Sequence, residues 1–394
     1  MNKLGIYIHW PYCISKCPYC DFNSHKIKNY DPNEWLSAYE NQIKYFKEYL
    51  VSQNFKNIKL SSIFLGGGTP SLMPPKLVEK ILLFINKLFN FDKNIEITLE
   101  SNPTNLELNK ISDFKSAGVN RISLGVQGLN DTDLKYLGRL HNASETFVVL
   151  DLMQKIIDNI SVDLIYALSC QNLEIWNNEL QTFLKNFSIK HLSAYQLVIE
   201  KGTKFYHLFN RGELKTVSDN LYKEFYFSTK NILKNNKFDQ YEISNFSKPN
   251  FFSKHNTIYW KSDNWIGIGP GAISRIWNKK KERIEFENFK KPETWLKNCL
   301  QKKINLKKIL KIKFDASEQE ILMMGLRLNE GVDLNKLQHR TFLNNEEVLN
   351  LQKQGIINIR KNKLMINENY FNVHDYIVRK IIDNYLSSQS TPLY

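Results

Sequence analysis

No apolar run in this sequence is long enough to cross a bilayer, which argues against an integral membrane protein. There is also no room for a signal peptide, because a strand-like run at 5–9 begins within a few residues of Met1. The cytosol is therefore the expected compartment. Cysteine is scarce, with five in 394 residues. A chain this long without an export signal is not a disulfide-stapled secreted fold. Neither G-x-x-x-x-G-K-[ST] nor G-x-G-x-x-G occurs, so the familiar phosphate-cradling loops have no support. Acidic residues are in deficit, 40 against 54 Lys and Arg, for a net charge of +14. That excess fits nucleic acid or an anionic membrane surface. However, the densest basic run, 279–311, mixes Glu with Lys and has no ordered alternation with aromatics. It reads as a solvated face, and nucleic acid is not expected as a partner. Peripheral membrane contact and a homodimer stay open.

What the chain does have is a compact thiol loop, Cys13-Ile14-Ser15-Lys16-Cys17-Pro18-Tyr19-Cys20, directly after the apolar run Gly5-Ile6-Tyr7-Ile8-His9-Trp10. Thiolate is the soft ligand that iron–sulfur clusters select. Three thiols at these spacings can wrap three corners of a cubane [4Fe–4S] cluster. The fourth iron then stays open to a small molecule offering an amine and a carboxylate. The alternative is a structural zinc site using the three thiols with His9 or His25, although this spacing is unusual for zinc.

The length supports one large domain and a small one, and the hydrophobic fraction of 42% is that of an ordinary globular protein. Short β-branched runs at 5–9, 61–65, 95–100, 121–125, 161–165 and 191–197 alternate with helical stretches at 34–49, 76–89, 106–117, 144–156 and 173–184. Six such units predict a parallel α/β fold: a partial (β/α)6 barrel or an open doubly wound sheet. Polar residues fall at the strand ends. The first run leads into the cysteines, the second into Gly66-Gly67-Gly68-Thr69-Pro70, the third into Glu100 and Asn102. The fourth ends in Gln127, the fifth carries Asp163, and the sixth carries Tyr195 and Gln196. Carboxyl ends of parallel strands share one face, so these groups should converge on one pocket.

Taken singly, each has a plainer reading. Three glycines make a tight turn, Glu100 and Asp163 can cap helices, and Arg139 can form a salt bridge. In series, carboxylates that receive hydroxyls or an ammonium and an Arg that grips a carboxylate are the better account. Beyond the sixth unit, Ser218-Asp219 should cap a helix over 220–233. Next come Tyr241-Glu242-Ile243-Ser244 and His255-Asn256-Thr257-Ile258-Tyr259-Trp260. His255 reads either as a satisfied core histidine or as a ligand for a flat macrocycle. A basic connector follows. The remainder, a helix at 317–328, helical pieces at 334–339 and 345–353, a hairpin at 355–366 and a helix at 374–386, predicts a small winged-helix-like domain. The expected division is 1–250, a core barrel; 251–313, the His255 segment and connector; and 314–394, the terminal domain. Cys170 and Cys299 carry no motif.

With these residues in view, nearly the whole chain resembles the coproporphyrinogen dehydrogenase-like branch of the radical S-adenosylmethionine (SAM) superfamily, and within it the haem chaperones. The stretches that carry the resemblance are Ile8-His9-Trp10-Pro11-Tyr12-Cys13, Cys17-Pro18-Tyr19-Cys20-Asp21-Phe22, Gly66 to Ser71, Glu100-Ser101-Asn102-Pro103, Gly125-Val126-Gln127, Asp163-Leu164-Ile165-Tyr166, Tyr241-Glu242-Ile243-Ser244 and the H-N-x-x-Y-W set from His255. It implies a partial (β/α)6 radical SAM barrel with a [4Fe–4S] cluster on Cys13, Cys17 and Cys20. It also implies SAM contacts at Tyr7, Tyr19, Gly67, Gly68, Thr69, Glu100, Gln127, Arg139 and Asp163, and haem near His255. The implied function is to bind haem and hand it to haem-accepting proteins. The alternative is oxidative decarboxylation of coproporphyrinogen III by a 5′-deoxyadenosyl radical. Decarboxylases of the branch carry a further Cys two residues after the third ligand, where this chain has Asp21-Phe22, which favours the chaperone. A second departure is Ala167-Leu168-Ser169-Cys170, where the family has a Gly-Leu-Pro-Gly turn. From the thiols, the charge and the terminal module alone, a zinc-stabilised nucleic-acid-binding protein is the third class considered.

Overall fold

The computed structural model describes residues 3–55, 58–301 and 304–389. The six anticipated strands are present as β1 (Leu4–Trp10), β2 (Lys59–Gly67), β3 (Asn90–Ser101), β4 (Arg121–Gln127), β5 (Ile160–Tyr166) and β6 (His191–Gln196). They pair in parallel in that order. On β1, Leu4, Ile6, Ile8 and Trp10 are almost fully buried, and with Ile63, Leu65, Ile97, Leu99, Ile122 and Leu124 they join the main core against the helices. The alternate positions, among them Tyr7 and His9 on β1 and Arg121 and Ser123 on β4, carry polar side chains to the other face of the curled sheet. The result is a partial (β/α)6 barrel with a polar interior. The helix expected at 106–117 is two short ones, Asn105–Leu108 and Ile111–Ser116. Ser218 caps the helix Asp219–Asn235, its side chain accepting from the Leu221 N–H.

The segment 251–313 differs from the connector expected. It extends the barrel sheet with β7 (Asn264–Ile268), β8 (Ile273–Trp277), β9 (Arg283–Glu287) and β10 (Lys308–Lys311), giving the order β10-β9-β8-β7-β1-β2-β3-β4-β5-β6, beyond which the short strands Asn245–Ser247 and Asp239–Gln240 follow. β7 lies parallel to β1, and β8 to β10 follow antiparallel. Lysine-rich composition hid these strands because the lysines act across them: Lys307 pairs with Glu287, Lys308 with Glu285 and Lys311 with Glu282. Part of the basic run is thus neutralised within the sheet itself.

The terminal region is the anticipated winged-helix-like unit. It comprises the helix Phe314–Gly325, the helix Glu346–Lys353, the hairpin Ile357–Arg360 with Lys363–Ile366, and the helix His374–Gln389. Lys361 and Asn362, both at positive φ, close the hairpin in the turn type that suits strand twist. Leu322, Leu326, Phe342, Val348, Ile357, Leu364 and Tyr385 form its own core. Glu242, with no exposed surface, fastens this unit to the barrel: it accepts from Arg327 at 3.1 Å and from the Ser244 N–H at 2.9 Å. Arg327 in turn lies 4.5 Å over the Trp260 ring. No helix among the described residues is long and apolar enough to cross a membrane.

Candidate functional site

The carboxyl ends of β2 to β6 and the cysteine loop enclose a pocket of about 370 Å3. Cys13, Cys17, Tyr19, Cys20, Gly67, Gly68, Thr69, Glu100, Gln127, Arg139 and Asp163 all line it. Of the strand-end groups singled out from the sequence, Gly67, Gly68, Thr69, Glu100, Asn102, Gln127, Asp163, Tyr195 and Gln196 are on its wall, and Gly66 and Pro70 are not among its lining residues. Tyr7 stands beside it, its hydroxyl 3.0 Å from His9 Nδ1 and its ring stacked on Phe64. Ser123 lines it as well.

The loop is held at both ends. His9 Nε2 lies 2.9 Å from the Asn23 carbonyl oxygen, and Asn23 Nδ2 donates to the Pro270 and Lys290 carbonyls. Burial lowers the His9 pKa to about 4, so a neutral ring makes both contacts. With both nitrogens engaged, His9 is not available as a fourth zinc ligand in this conformation. Tyr12–Cys13 pairs with His25–Lys26, and the Phe205 N–H donates to the Pro18 carbonyl at 2.9 Å. The glycines explain themselves by packing. A Cβ on Gly67 would come within 2.4 Å of the His9 ring, and one on Gly68 within 2.6 Å of the Tyr12 carbonyl oxygen. Gly67 also sits at φ +112°, where L side chains are strained. Removing these side chains lets the loop close over β2 and leaves backbone facing the pocket.

Do these residues suit a cluster and SAM? The three thiols share one wall, each partly buried. Cys13 accepts from the Thr69 hydroxyl and Cys17 from Arg139 Nη1, both at 3.4 Å, and the Phe22 backbone hydrogen-bonds Cys20. Such donors favour the thiolate that a cluster requires. Burial first, and then the neighbouring thiols, raise the Cys13 and Cys20 thiols. Among the described residues no group of three or more His, Cys, Asp or Glu side chains closes round a point as a single metal ion demands. Arg139 Nη2 is held by Asn102 Oδ1 (2.6 Å) and the Gly125 carbonyl (3.1 Å), while its Nε is buried without a partner among the described residues. An orphaned guanidinium donor beside three thiols is what an incoming carboxylate satisfies. The set fits both groups.

The opposite wall is acidic. Glu100 Oε2 accepts from the Gly67 N–H at 3.1 Å, and Asp163 Oδ2 from the Ser123 hydroxyl at 3.0 Å. Burial, and then Asp163, push Glu100 up to about 8; burial raises Asp163 as well. Beneath them Arg121, 2% exposed, draws both partly back down while its Nη1 donates to Thr98 Oγ1 (3.3 Å). Arg121 and Ser123 escaped the sequence reading. Their signal is the alternation Arg121, Ser123, Gly125, Gln127 on β4, which places four polar or small residues on the interior face.

His255 lies elsewhere, 1% exposed at the foot of β2. Its Nδ1 is 2.8 Å from Ser62 Oγ, its Nε2 is 2.8 Å from the Tyr259 hydroxyl, and its ring stacks on Phe64. Burial holds its pKa at about 3. His191 repeats the arrangement, 2.7 Å from Ser161 Oγ and 2.8 Å from the Tyr241 hydroxyl. Both are satisfied interior histidines, and in this conformation His255 has no nitrogen to offer an iron. His255→Ala should cost roughly 2–3 kcal/mol, through two orphaned hydroxyls and a cavity. Urea unfolding measures that loss. A haem Soret band unchanged at equal folded protein is the expected companion result.

The turn after β5, Ala167-Leu168-Ser169-Cys170, is held by its own backbone conformation and by neighbouring side chains. Ala167 takes φ +61°, the Leu168 N–H donates to Gln171 Oε1 (3.1 Å), and Gln171 Nε2 reaches the buried Asp133 at 2.6 Å.

Comparison with known proteins agrees with this geometry. A profile described as Radical SAM superfamily matches residues 7–179, and one described as HemN C-terminal domain matches 319–369. The solved structure of coproporphyrinogen III oxidase (HemN) from Escherichia coli shares the fold, with a TM-score of 0.76 at 18% identity over 98% of this chain and 90% of that one. The chain belongs to the radical SAM superfamily. Within it, the chain belongs to the family that includes the protein named heme chaperone HemW of Haemophilus influenzae, 34% identical over 89% of each chain. The same family includes the mitochondrial radical S-adenosyl methionine domain-containing protein 1 of Danio rerio, 33% identical over 84% of this chain and 74% of that one.

Proposed function

We propose that this protein is a haem chaperone that binds haem and passes it to haem-dependent proteins in the cytoplasm, holding a [4Fe–4S] cluster on Cys13, Cys17 and Cys20 with SAM against it. The observation that carries this reading is the match over 89% of both chains to a protein named heme chaperone. The likeness to coproporphyrinogen III oxidase, at 18% identity, speaks for the fold alone.

Bound in the pocket, the cluster would supply one-electron chemistry at the iron the polypeptide leaves without a ligand. The chain's own residues bind and orient. Arg139 and Thr69 stabilise charge on the sulfurs, and the Arg139 Nε offers a donor to a carboxylate. Glu100, Asp163 and Gln127 meet an ammonium or ribose hydroxyls, and Tyr19 against Phe205 shields the floor from water. The test is anaerobic reconstitution followed by haemin titration, then product analysis with coproporphyrinogen III, SAM and a reductant. A brown protein that shifts the Soret band and leaves coproporphyrinogen III intact is expected. Protoporphyrinogen IX in the products would replace the chaperone reading with the decarboxylase.

A further inference from the structure

Among the donors that reach the thiols are Thr69, on Cys13, and Arg139, on Cys17, and both are tied to one amide. That amide belongs to Asn102, which directly follows β3 and precedes Pro103. Asn102 Oδ1 lies 2.6 Å from Arg139 Nη2, and its Nδ2 lies 3.5 Å from Thr69 Oγ1. The chemistry of the partners fixes which way round the amide sits. Arg139 carries donors only, so the amide oxygen has to face it. The Nδ2 side then meets two acceptors, the Thr69 oxygen and the carboxylate of Glu107. Glu107 is 1% exposed and also takes the Thr104 hydroxyl, so it holds the amide from behind.

This arrangement gives the two donors a direction. A hydroxyl has one proton and two lone pairs. While Thr69 accepts from Asn102, its proton is left for Cys13, 3.4 Å away. Arg139 is braced in the same way. Its Nη2 is shared between Asn102 and the Gly125 carbonyl (3.1 Å), which holds Nη1 at 3.4 Å from Cys17. Thr69 follows β2 and Arg139 lies beyond β4, so one side chain after β3 aligns donors from two other strand ends. Hydrogen bonds to the sulfurs are among the levers that set the potential of an iron–sulfur cluster. Each one favours the reduced state, which carries the greater negative charge.

We propose that Asn102 is a positioning residue that raises the reduction potential of the cluster, by aiming the Thr69 proton at Cys13 and the Arg139 guanidinium at Cys17. The assignment rests on the cluster reading above and deepens it.

The full-length protein is reconstituted anaerobically without SAM, and its iron and sulfide are counted. Electron paramagnetic resonance of samples poised at a series of potentials then reads the midpoint. Asn102→Ala should keep the wild-type iron and sulfide. Its reduction equilibrium should move about tenfold or more toward the oxidised cluster, a midpoint about 59 mV more negative for a one-electron couple. Asn102→Asp keeps the shape and the Arg139 contact but offers Thr69 an acceptor in place of a donor. Its shift should have the same sign and be larger. Thr69→Val alone should also lower the midpoint, yet change the equilibrium less than twofold on the Asn102→Asp background, where the Thr69 proton already faces a carboxylate. A role in packing alone would move the melting temperature and leave the midpoint in place. Wild-type midpoints in Asn102 variants that hold their cluster would overturn the proposal, as would an undiminished effect of Thr69→Val on the Asn102→Asp background. Loss of the cluster from both Asn102 variants would also overturn it, by making Asn102 a residue of cluster retention. A wild-type protein that takes up no iron and sulfide would instead overturn the cluster reading itself.

Discussion

Cys17→Ala, reconstituted anaerobically, should be nearly colourless and hold less than about a tenth of the wild-type iron and sulfide, since a cubane with two protein ligands on one loop is poorly retained. Cys17 stands between the other two thiols in sequence and is the one that accepts from Arg139. Its loss removes a cluster corner and also frees the guanidinium from its sulfur partner. SAM affinity should fall with the cluster, by two orders of magnitude or more, because the open iron is a principal anchor for an amine and a carboxylate together. The fold should survive. Cys17 is only partly buried, and the loop is pinned by His9, Asn23 and the Tyr12–Cys13 pairing with His25–Lys26. Far-ultraviolet circular dichroism should therefore match the wild type, and the melting temperature should match that of the cluster-free wild type. Cys170→Ala is the control: Cys170 is exposed, touches Asp133 at 3.8 Å and lies off the cysteine loop, so its removal should leave colour and iron content unchanged. Equal iron in Cys17→Ala and Cys170→Ala would remove the cluster assignment.

The barrel was legible because its strands are short, β-branched and followed by polar residues at one end. Parallel pairing then makes convergence of those ends a geometric consequence. Glu100, Gln127, Arg139 and Asp163 come from different strands or loops, and no local pattern in any one of them would have identified a pocket. Three things were hidden. The strands from Asn264 to Lys311 were masked by lysines whose glutamate partners sit on neighbouring strands, a relation that sequence order does not display. The H-N-x-x-Y-W set looks like a ligand motif, but the fold uses it to fill the barrel. His255 is spent on Ser62, which lies 193 positions away. Trp260 is covered by Arg327, which Glu242 also holds. Finally, the glycines read singly as a tight turn, whereas the contacts of Gly67 with His9 and of Gly68 with Tyr12 show that glycine is required there by the closure of the cysteine loop.

Glu100→Gln should make the ligand-free protein more resistant to urea than the wild type at pH 9 and equally resistant at pH 4. The wild-type carboxyl is pushed to about 8, by burial first and by Asp163 second, against an ordinary value near 4.5. The folded chain therefore holds this proton more tightly than the unfolded chain. The stabilisation that accompanies the bound proton is complete below about pH 4.5, falls away as the pH climbs, and is gone above about 8. The integrated loss is on the order of 5 kcal/mol. Glutamine, always neutral, does not suffer it. Subtracting the two stability curves removes most other titrations, and Asp163 adds to the same trend by losing a like-charged neighbour in the variant. A second measurement ties the carboxyl to its ligand. An ammonium or sulfonium placed against Glu100 favours its ionised form, so SAM binding at pH 7 should expel close to one proton in the wild type and far less in Glu100→Gln. Calorimetry in buffers of different ionisation enthalpy reads that number directly. Heats that do not depend on the buffer, in a wild-type protein that binds SAM, would mean that the cationic part of the ligand lies away from Glu100.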